Sequence, residues 1–249
     1  MPNAHEIIFS LGLGDHVIAT SKYSSYPEAT KNITKVGGLY DVNLEAVIRM
    51  KPSHVITDSS VAVRDKIDIL QSYGINVISI KTESIEDIYT NIILLGEKFD
   101  AQKRAKFVVD SIKKSLDNPN LIPSFKKLKG LRGLIIVGRE PGTIKNVYVA
   151  GRKTYLSQLM EKLGITNIIA DDFYVQVNTE FLIRNKIDVL FEIRLNATPE
   201  QQQQIGSEWN EFFTAFKSEP KIVVLSGDYV TIPGPRIGYI LREMVERIQ

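Results

Sequence analysis

The chain has 249 residues, 43% of them hydrophobic and 24% charged, with 31 basic against 29 acidic side chains and a net charge of +2. That balance fits an ordinary soluble globular fold of one large or two small domains and leaves no electrostatic footprint for nucleic acid. There are no cysteines, which excludes disulfides and thiolate metal sites and fits an oxidising compartment, and no apolar run reaches the about 18 residues a membrane span needs.

The first element is expected as a helix over 4–11, ended by Gly12 and Gly14. An α/β lobe would normally open with a strand before such a helix, and no signal peptide is legible, so the start reads as clipped. A short buried strand is expected over 17–20, followed by the loop 21–27 and a turn at Gly37-Gly38-Leu39-Tyr40. Asn43 can cap a helix over 44–50 that Lys51-Pro52 ends. A strand over 55–58 exits at Ser59 and Ser60, a helix over 63–73 closes at Gly74, and a strand over 77–80 follows.

From Thr82 to Asp117 the apolar residues change to helix spacing: Ile85, Ile88, Ile92, Leu95 and Phe99, then Ala105, Val108, Ile112 and Leu116. Ser84 with Asp87 resembles a capping box and Asp100 is a second N-cap candidate, so two helices are predicted, over 85–98 and 101–116. The second would be roughly 25 Å long at about 1.5 Å per residue, enough to bridge two lobes. Residues 118–129 carry Pro119 and Pro123 and read as a linker, its short basic run at Lys126-Lys127-Leu128-Lys129 as solvated surface.

Beyond the linker the alternation resumes. Strands are predicted over 134–137, 167–170, 189–193 and 222–225, an extended piece over 147–150, and helices over 155–163, 179–184, 207–216 and 237–248. Gln201 to Gln204 should sit at a helix start after Pro199. The resulting class is α/β: two similar lobes with mostly parallel sheets joined by a long helix, divided as 1–98, a bridge and linker over 99–129, and 130–249.

A repeat supports the two-lobe reading. Val42-Asn43-Leu44-Glu45-Ala46-Val47-Ile48-Arg49-Met50-Lys51 matches Val177-Asn178-Thr179-Glu180-Phe181-Leu182-Ile183-Arg184-Asn185-Lys186, with Val, Asn, Glu, Ile, Arg and Lys in the same places. Each Asn can cap its helix, which puts Glu45 and Glu180 in a first turn, where the macrodipole favours a carboxylate. Two readings stay open. The glutamates only support helix starts, or they are one acidic knob per lobe, able to dock a two-fold partner through its arginines.

Two α/β lobes leave a cleft, and parallel sheets bind ligands at the C-terminal ends of their strands. The strand exits carry Tyr23, Tyr26, Ser59, Arg139, Phe173, Tyr174, Arg194 and Tyr229, and the turn before Asn43 adds Tyr40. Aromatic faces with a few cations suit a large, flat, partly anionic ligand. Enzyme signatures are missing: there is no phosphate-binding P-loop and no nucleophile elbow, and Gly12-Leu13-Gly14 lacks the third glycine of a dinucleotide loop. His5, His16 and His54 are spread over a helix, a strand start and a strand edge, a poor basis for a metal site, and Asp171-Asp172 reads as a turn.

Several pieces together resemble one family. They are Pro2 to Asp15, Tyr26-Pro27, Val36-Gly37-Gly38, Asn43-Leu44-Glu45, Lys51-Pro52-Ser53, Ala150-Gly151 before Tyr155-Leu156, Leu163-Gly164 and Pro233-Gly234-Pro235-Arg236. In that order they resemble the substrate-binding proteins of ABC importers for vitamin B12, haem and ferric siderophores. The resemblance implies two α/β lobes on one long helix, small opening motions, no catalysis and no resident cofactor. It also implies a monomer outside the cytoplasmic membrane that touches the membrane only through its permease. Glu45 and Glu180 would be docking carboxylates for arginines on two permease subunits, and Tyr23, Tyr26, Tyr40, Tyr174, Asp228 and Tyr229 would contact a large chelate. Tyr174 and Tyr229 stand where corrinoid-binding members carry tryptophan, and a tyrosine could instead ligate haem iron. An enzyme on a related two-lobed fold, such as a metal chelatase, and a sensor that kept the fold without transport are the alternatives.

Overall fold

The predicted stripe along 85–116 is where the chain commits to its architecture. The computed structural model describes residues 1–38, 40–118 and 128–248. In it the stripe forms two helices, Ile85–Lys98 and Gln102–Leu116. Ile85, Ile88, Ile92, Leu95, Ala105, Val108, Ile112 and Leu116 are all buried, each fully buried Ile or Leu adding about 1.5–3 kcal/mol. Asp100 does not cap the second helix, which starts two residues later, at Gln102. It takes a left-handed φ of 56°, and the Ala101 N–H returns to the Gly96 carbonyl at 2.7 Å, the closure by which one helix stops before another begins. At Gly96 a Cβ would collide with the Ala105 methyl, so the glycine lets the helices approach closely there.

The described residues form two compact units, Met1–Thr82 with Glu86–Ile112 and Glu83–Ile85 with Lys113–Gln249, and the Gln102–Leu116 helix carries the chain from the first into the second. In the first unit the strands make two parallel pairs. Strand β1 (Ala19–Thr20) lies beside β2 (Thr34–Lys35), and β3 (His54–Asp58) beside β4 (Asn76–Ile80) in five-residue register. β1 is shorter than the sequence implied because a 3-10 turn over Gly14–His16 uses up the approach to it. β2 was not foreseen: two exposed residues carry no alternation to read. The helix expected over 63–73 begins as a 3-10 turn, Val61–Val63, and continues as Arg64–Ser72. With the Leu44–Arg49 helix it closes a small core around Val47, Leu70 and Ile75.

The second unit is built on one sheet in the order β10-β9-β5-β6-β8. Its strands are β5 (Arg132–Gly138), β6 (Val147–Ala150), β7 (Thr166–Asn167), β8 (Tyr174–Val177), β9 (Val189–Ile193) and β10 (Lys221–Leu225). β5, β9 and β10 are parallel, and β6 and β8 are antiparallel additions. β7 pairs with Arg132 and Gly133 at the start of β5, and β6 with Ile136 and Gly138 at its end, so the two share one edge of β5. Ile135, Leu190, Phe191 and Leu225 are wholly buried, which is why these central strands read as unbroken apolar runs. The helix predicted over 207–216 starts earlier, as Pro199–Thr214, with a capping box between Thr198 and Gln201 and the glutamine tract in its first turns. It delivers Ile205, Trp209 and Phe213 to the core. The Ile237–Ile248 helix buries Ile237, Ile240, Leu241, Met244, Val245 and Ile248, again at helix spacing. Of the linker expected over 118–129, residues 119–127 lie outside the described residues, as does Leu39 of the turn before Asn43.

Candidate functional site

The repeated decapeptide takes the same local form twice. Asn43 Oδ1 accepts the Ala46 N–H at 2.9 Å and opens the Leu44–Arg49 helix; Asn178 Oδ1 accepts the Phe181 N–H at 2.9 Å and opens the Thr179–Arg184 helix. Glu45 and Glu180 follow in the first turn of each, both solvent-exposed. Glu180 makes an i,i+4 pair with Arg184 at 2.7 Å, a contact worth little at such exposure and easily exchanged.

In the first unit the strand-exit aromatics stand open: Tyr23 is 64% exposed, Tyr26 46% and Tyr40 74%, and Ser59 is exposed beyond β3. The loop beneath them is tied down. Lys35 donates to the Ser24 and Thr30 carbonyls at 2.9 and 3.1 Å, and the Thr20 hydroxyl donates to Ser24 Oγ at 2.9 Å. His5 Nε2 lies 2.7 Å from Thr30 Oγ1. Burial, reinforced by the Lys35 charge, pushes the His5 pKa down to about 4, so the ring is neutral. Asp41 accepts from the Lys22 ammonium at 2.5 Å and from the Gly38 N–H at 2.8 Å, and those bonds, Lys22 first, hold its carboxyl below the usual range. The Lys22 ammonium in turn stands 5.1 Å from the Tyr23 ring centre.

In the second unit Tyr174 opens β8 rather than lying in a loop, because the antiparallel partner β6 draws it into the sheet. Its ring is 47% exposed, and burial of the hydroxyl followed by the Glu83 charge push its pKa up to about 12. Phe173 is 50% exposed. The turn before it sits on Gly151, where any Cβ would strike the Asp171 and Phe173 backbone. Asp172 pairs with Lys153 at 2.6 Å and Arg152 at 3.5 Å, so this acidic residue is a turn staple.

Three expected contacts are held differently from what the sequence suggested. Arg139 is interior: its side chain is 1% exposed, Nε donates to Glu192 at 2.9 Å, one terminal nitrogen to Glu208 at 2.6 Å and the other to the Thr143 carbonyl at 2.8 Å. Its guanidinium also lies 5.2 Å from the Trp209 ring centre, and three of its five N–H donors are bonded inside the unit. Asp228 pairs with Arg236 at 2.8 Å. The Tyr229 hydroxyl donates inward to Glu243 at 3.1 Å, and burial followed by that carboxylate raises its pKa to about 12. Arg194 just past β9 keeps a side chain 27% exposed, with Nε bonded to Glu192 at 2.7 Å.

Two residues escaped the sequence reading. Tyr148 is 48% exposed in β6 and faces Gln176, while Ala150 faces Tyr174, so both tyrosines project from the same side of the β6–β8 ribbon. The alternation Val147-Tyr148-Val149 was the signal, since both valines are buried. Glu192 gave no signal, being a lone carboxylate inside an apolar strand. Among the described residues no three His, Cys, Asp or Glu side chains converge to hold a metal ion.

A family profile described as periplasmic binding protein matches residues 2–219. The chain belongs to the periplasmic binding protein family. An ABC transporter substrate-binding lipoprotein of Bacillus subtilis is 28% identical, over 100% of this chain and 78% of its own length. A vitamin B12-binding protein of Vibrio campbellii is 26% identical, over 100% and 87%. In fold, this periplasmic binding protein superposes on a periplasmic haem-binding protein of Pseudomonas aeruginosa with a TM-score of 0.83 at 18% identity, covering 99% of this chain and 90% of that one. A periplasmic vitamin B12-binding protein of Vibrio cholerae gives 0.80 at 19%, covering 100% and 94%. The expected fold, two α/β units joined through a helix, is therefore that of solved periplasmic binding proteins.

Proposed function

We propose that this protein captures a corrinoid or an iron chelate outside the cytoplasmic membrane and delivers it to an ABC permease, without catalysis. The observation that carries this reading is the pair of asparagine-capped helices, each presenting an exposed glutamate at the same step of the same decapeptide. Glu45 and Glu180 are the docking carboxylates for arginines of two permease subunits, and the protein works as a monomer. In the first unit Tyr23, Tyr26, Tyr40 and Ser59 serve the ligand; in the second, Tyr148, Phe173, Tyr174, Arg194, Asp228 and Tyr229 do. The domain division proposed is 1–98 and 130–249 about the bridge and linker over 99–129. Similarity to proteins named for vitamin B12 and haem supports the ligand class. No described helix is long and apolar enough to cross a membrane.

Cobalamin, haem and ferric siderophores, each added to the purified protein at about 100 times its dissociation constant, should stabilise it by about 2.7 kcal/mol where they bind. For a chain of 249 residues that is a rise in melting temperature of roughly 5–10 °C. Absence of a shift with all three classes would contradict the proposal.

A further inference from the structure

The Gln102–Leu116 helix carries five basic side chains and one acidic one, a net +4 in a chain whose total is +2. Its buried stripe of Ala105, Val108, Val109, Ile112 and Leu116 faces the core. Phe107 lies off that stripe. At about 3.6 residues per turn it points about 140° round the helix from Ile112. Its ring is 59% exposed. One turn away on the same side stand Lys103, Arg104, Asp110 and Ser111, with Lys106 beside them, all exposed. Arg104 is held in place: Nε donates to the Ser10 carbonyl at 2.8 Å, and the guanidinium stands 5.1 Å from the Phe107 ring centre. Lys103 and Lys106 pair with no carboxylate among the described residues. A phenyl ring therefore stands in solvent amid a basic helix face, on the side away from the core.

We propose that this face rests on an anionic phospholipid surface, with Lys103, Arg104 and Lys106 at the headgroups and the Phe107 ring between them. A convex row of cations matches a plane of phosphates, and each lysine or arginine near such a surface strengthens the attraction by about fivefold. Lys113 and Lys114, in the last turn, add to the same field. The ring decides between a lipid and an acidic protein as the occupant. Carboxylates on a protein surface offer a phenyl face no attraction, whereas the boundary between headgroups and acyl chains takes it out of water. The helix lies on the surface and does not cross it, since no described helix is long and apolar enough to span a membrane. This contact goes beyond delivery to a permease and is independent of which ligand is carried. It keeps the protein at the membrane between deliveries, so that the search for a permease runs over a surface and not through a volume.

The test is co-sedimentation with vesicles of phosphatidylcholine alone and of phosphatidylcholine mixed with phosphatidylglycerol. Wild type should bind the mixed vesicles at least about tenfold more tightly than the neutral ones at low ionic strength. It should let go as salt rises to about 1 M, where the screening length falls to about 3 Å. Lys103→Glu with Lys106→Glu should weaken mixed-vesicle binding by at least about twentyfold. The same charge change at two other exposed lysines, Lys217→Glu with Lys221→Glu, should alter it by less than about threefold. Phe107→Trp places an indole on the face: its emission should shift to the blue on mixed vesicles and be quenched by brominated lipid, while Trp209, fully buried, is unaffected. Equal losses from the two charge variants would reduce the effect to net charge and overturn the proposal. An indole that brominated lipid does not quench, or no binding to mixed vesicles, also overturns it. Each of these results leaves the chelate-binding function standing, which the melting-temperature titrations test separately. Should a charge variant fail to fold, the quenching of Phe107→Trp decides.

Discussion

Replacing Glu192 by glutamine keeps the volume and removes one charge, and the geometry says how badly that is tolerated. One carboxylate oxygen receives the Arg194 N–H at 2.7 Å, and the other receives Arg139 at 2.9 Å and Trp209. A glutamine amide has one oxygen and one NH2 group. Whichever way it turns, the NH2 group faces at least one N–H donor, in a site with no exposure to solvent. Arg139, 1% exposed, loses half of its counter-charge and keeps only Glu208. Breaking a buried pair by removing one partner costs about 3–5 kcal/mol, far more than the pair contributes against an apolar replacement. Urea unfolding followed by Trp209 emission reads the unit that holds the network. With a slope of about 2 kcal/mol per molar, the Glu192→Gln midpoint should fall by roughly 1.5–2.5 M. A loss below about 1 kcal/mol would refute the claim that this carboxylate holds the network together.

Gly96→Ala tests the helix crossing: alanine is ordinarily better by about 1 kcal/mol inside a helix, but here its Cβ meets Ala105, so thermal unfolding should show a net loss of about 1–3 kcal/mol. Removing the caps with Asn43→Ala or Asn178→Ala should cost about 1 kcal/mol each in the same assay, and no change in either would deny that the repeat is a pair of capped helices. His5 has a folded pKa near 4 against 6.5 in the open chain, so its contribution is present above pH 6.5 and lost as pH falls towards 4, about 3 kcal/mol in all. His5→Gln should flatten that limb of the stability curve relative to wild type; parallel curves would contradict the assignment.

Much of the fold was legible because the controlling physics is local. Helix spacing picked out Ile88, Ile92, Leu95 and Val108, and the asparagine caps and Pro199 announced helix starts within a turn. What escaped was decided by distant partners. Arg139 follows a strand in a Gly- and Pro-rich loop and reads as an exposed cation, yet Glu192 and Glu208, 53 and 69 residues away, take it inside. Tyr174 looked like a loop residue until β6 supplied a neighbouring strand. Asp100 has the chemistry of an N-cap but ends a helix, because the Gly96 carbonyl receives the N–H that follows it.

The most direct test of capture and delivery is the ATPase activity of the cognate ABC permease in proteoliposomes, with ligand-loaded protein added outside. Charge reversal at both exposed glutamates, Glu45→Lys with Glu180→Lys, is expected to abolish stimulation while melting temperature and ligand affinity stay at wild-type values. Full stimulation by the doubly reversed protein would contradict the account.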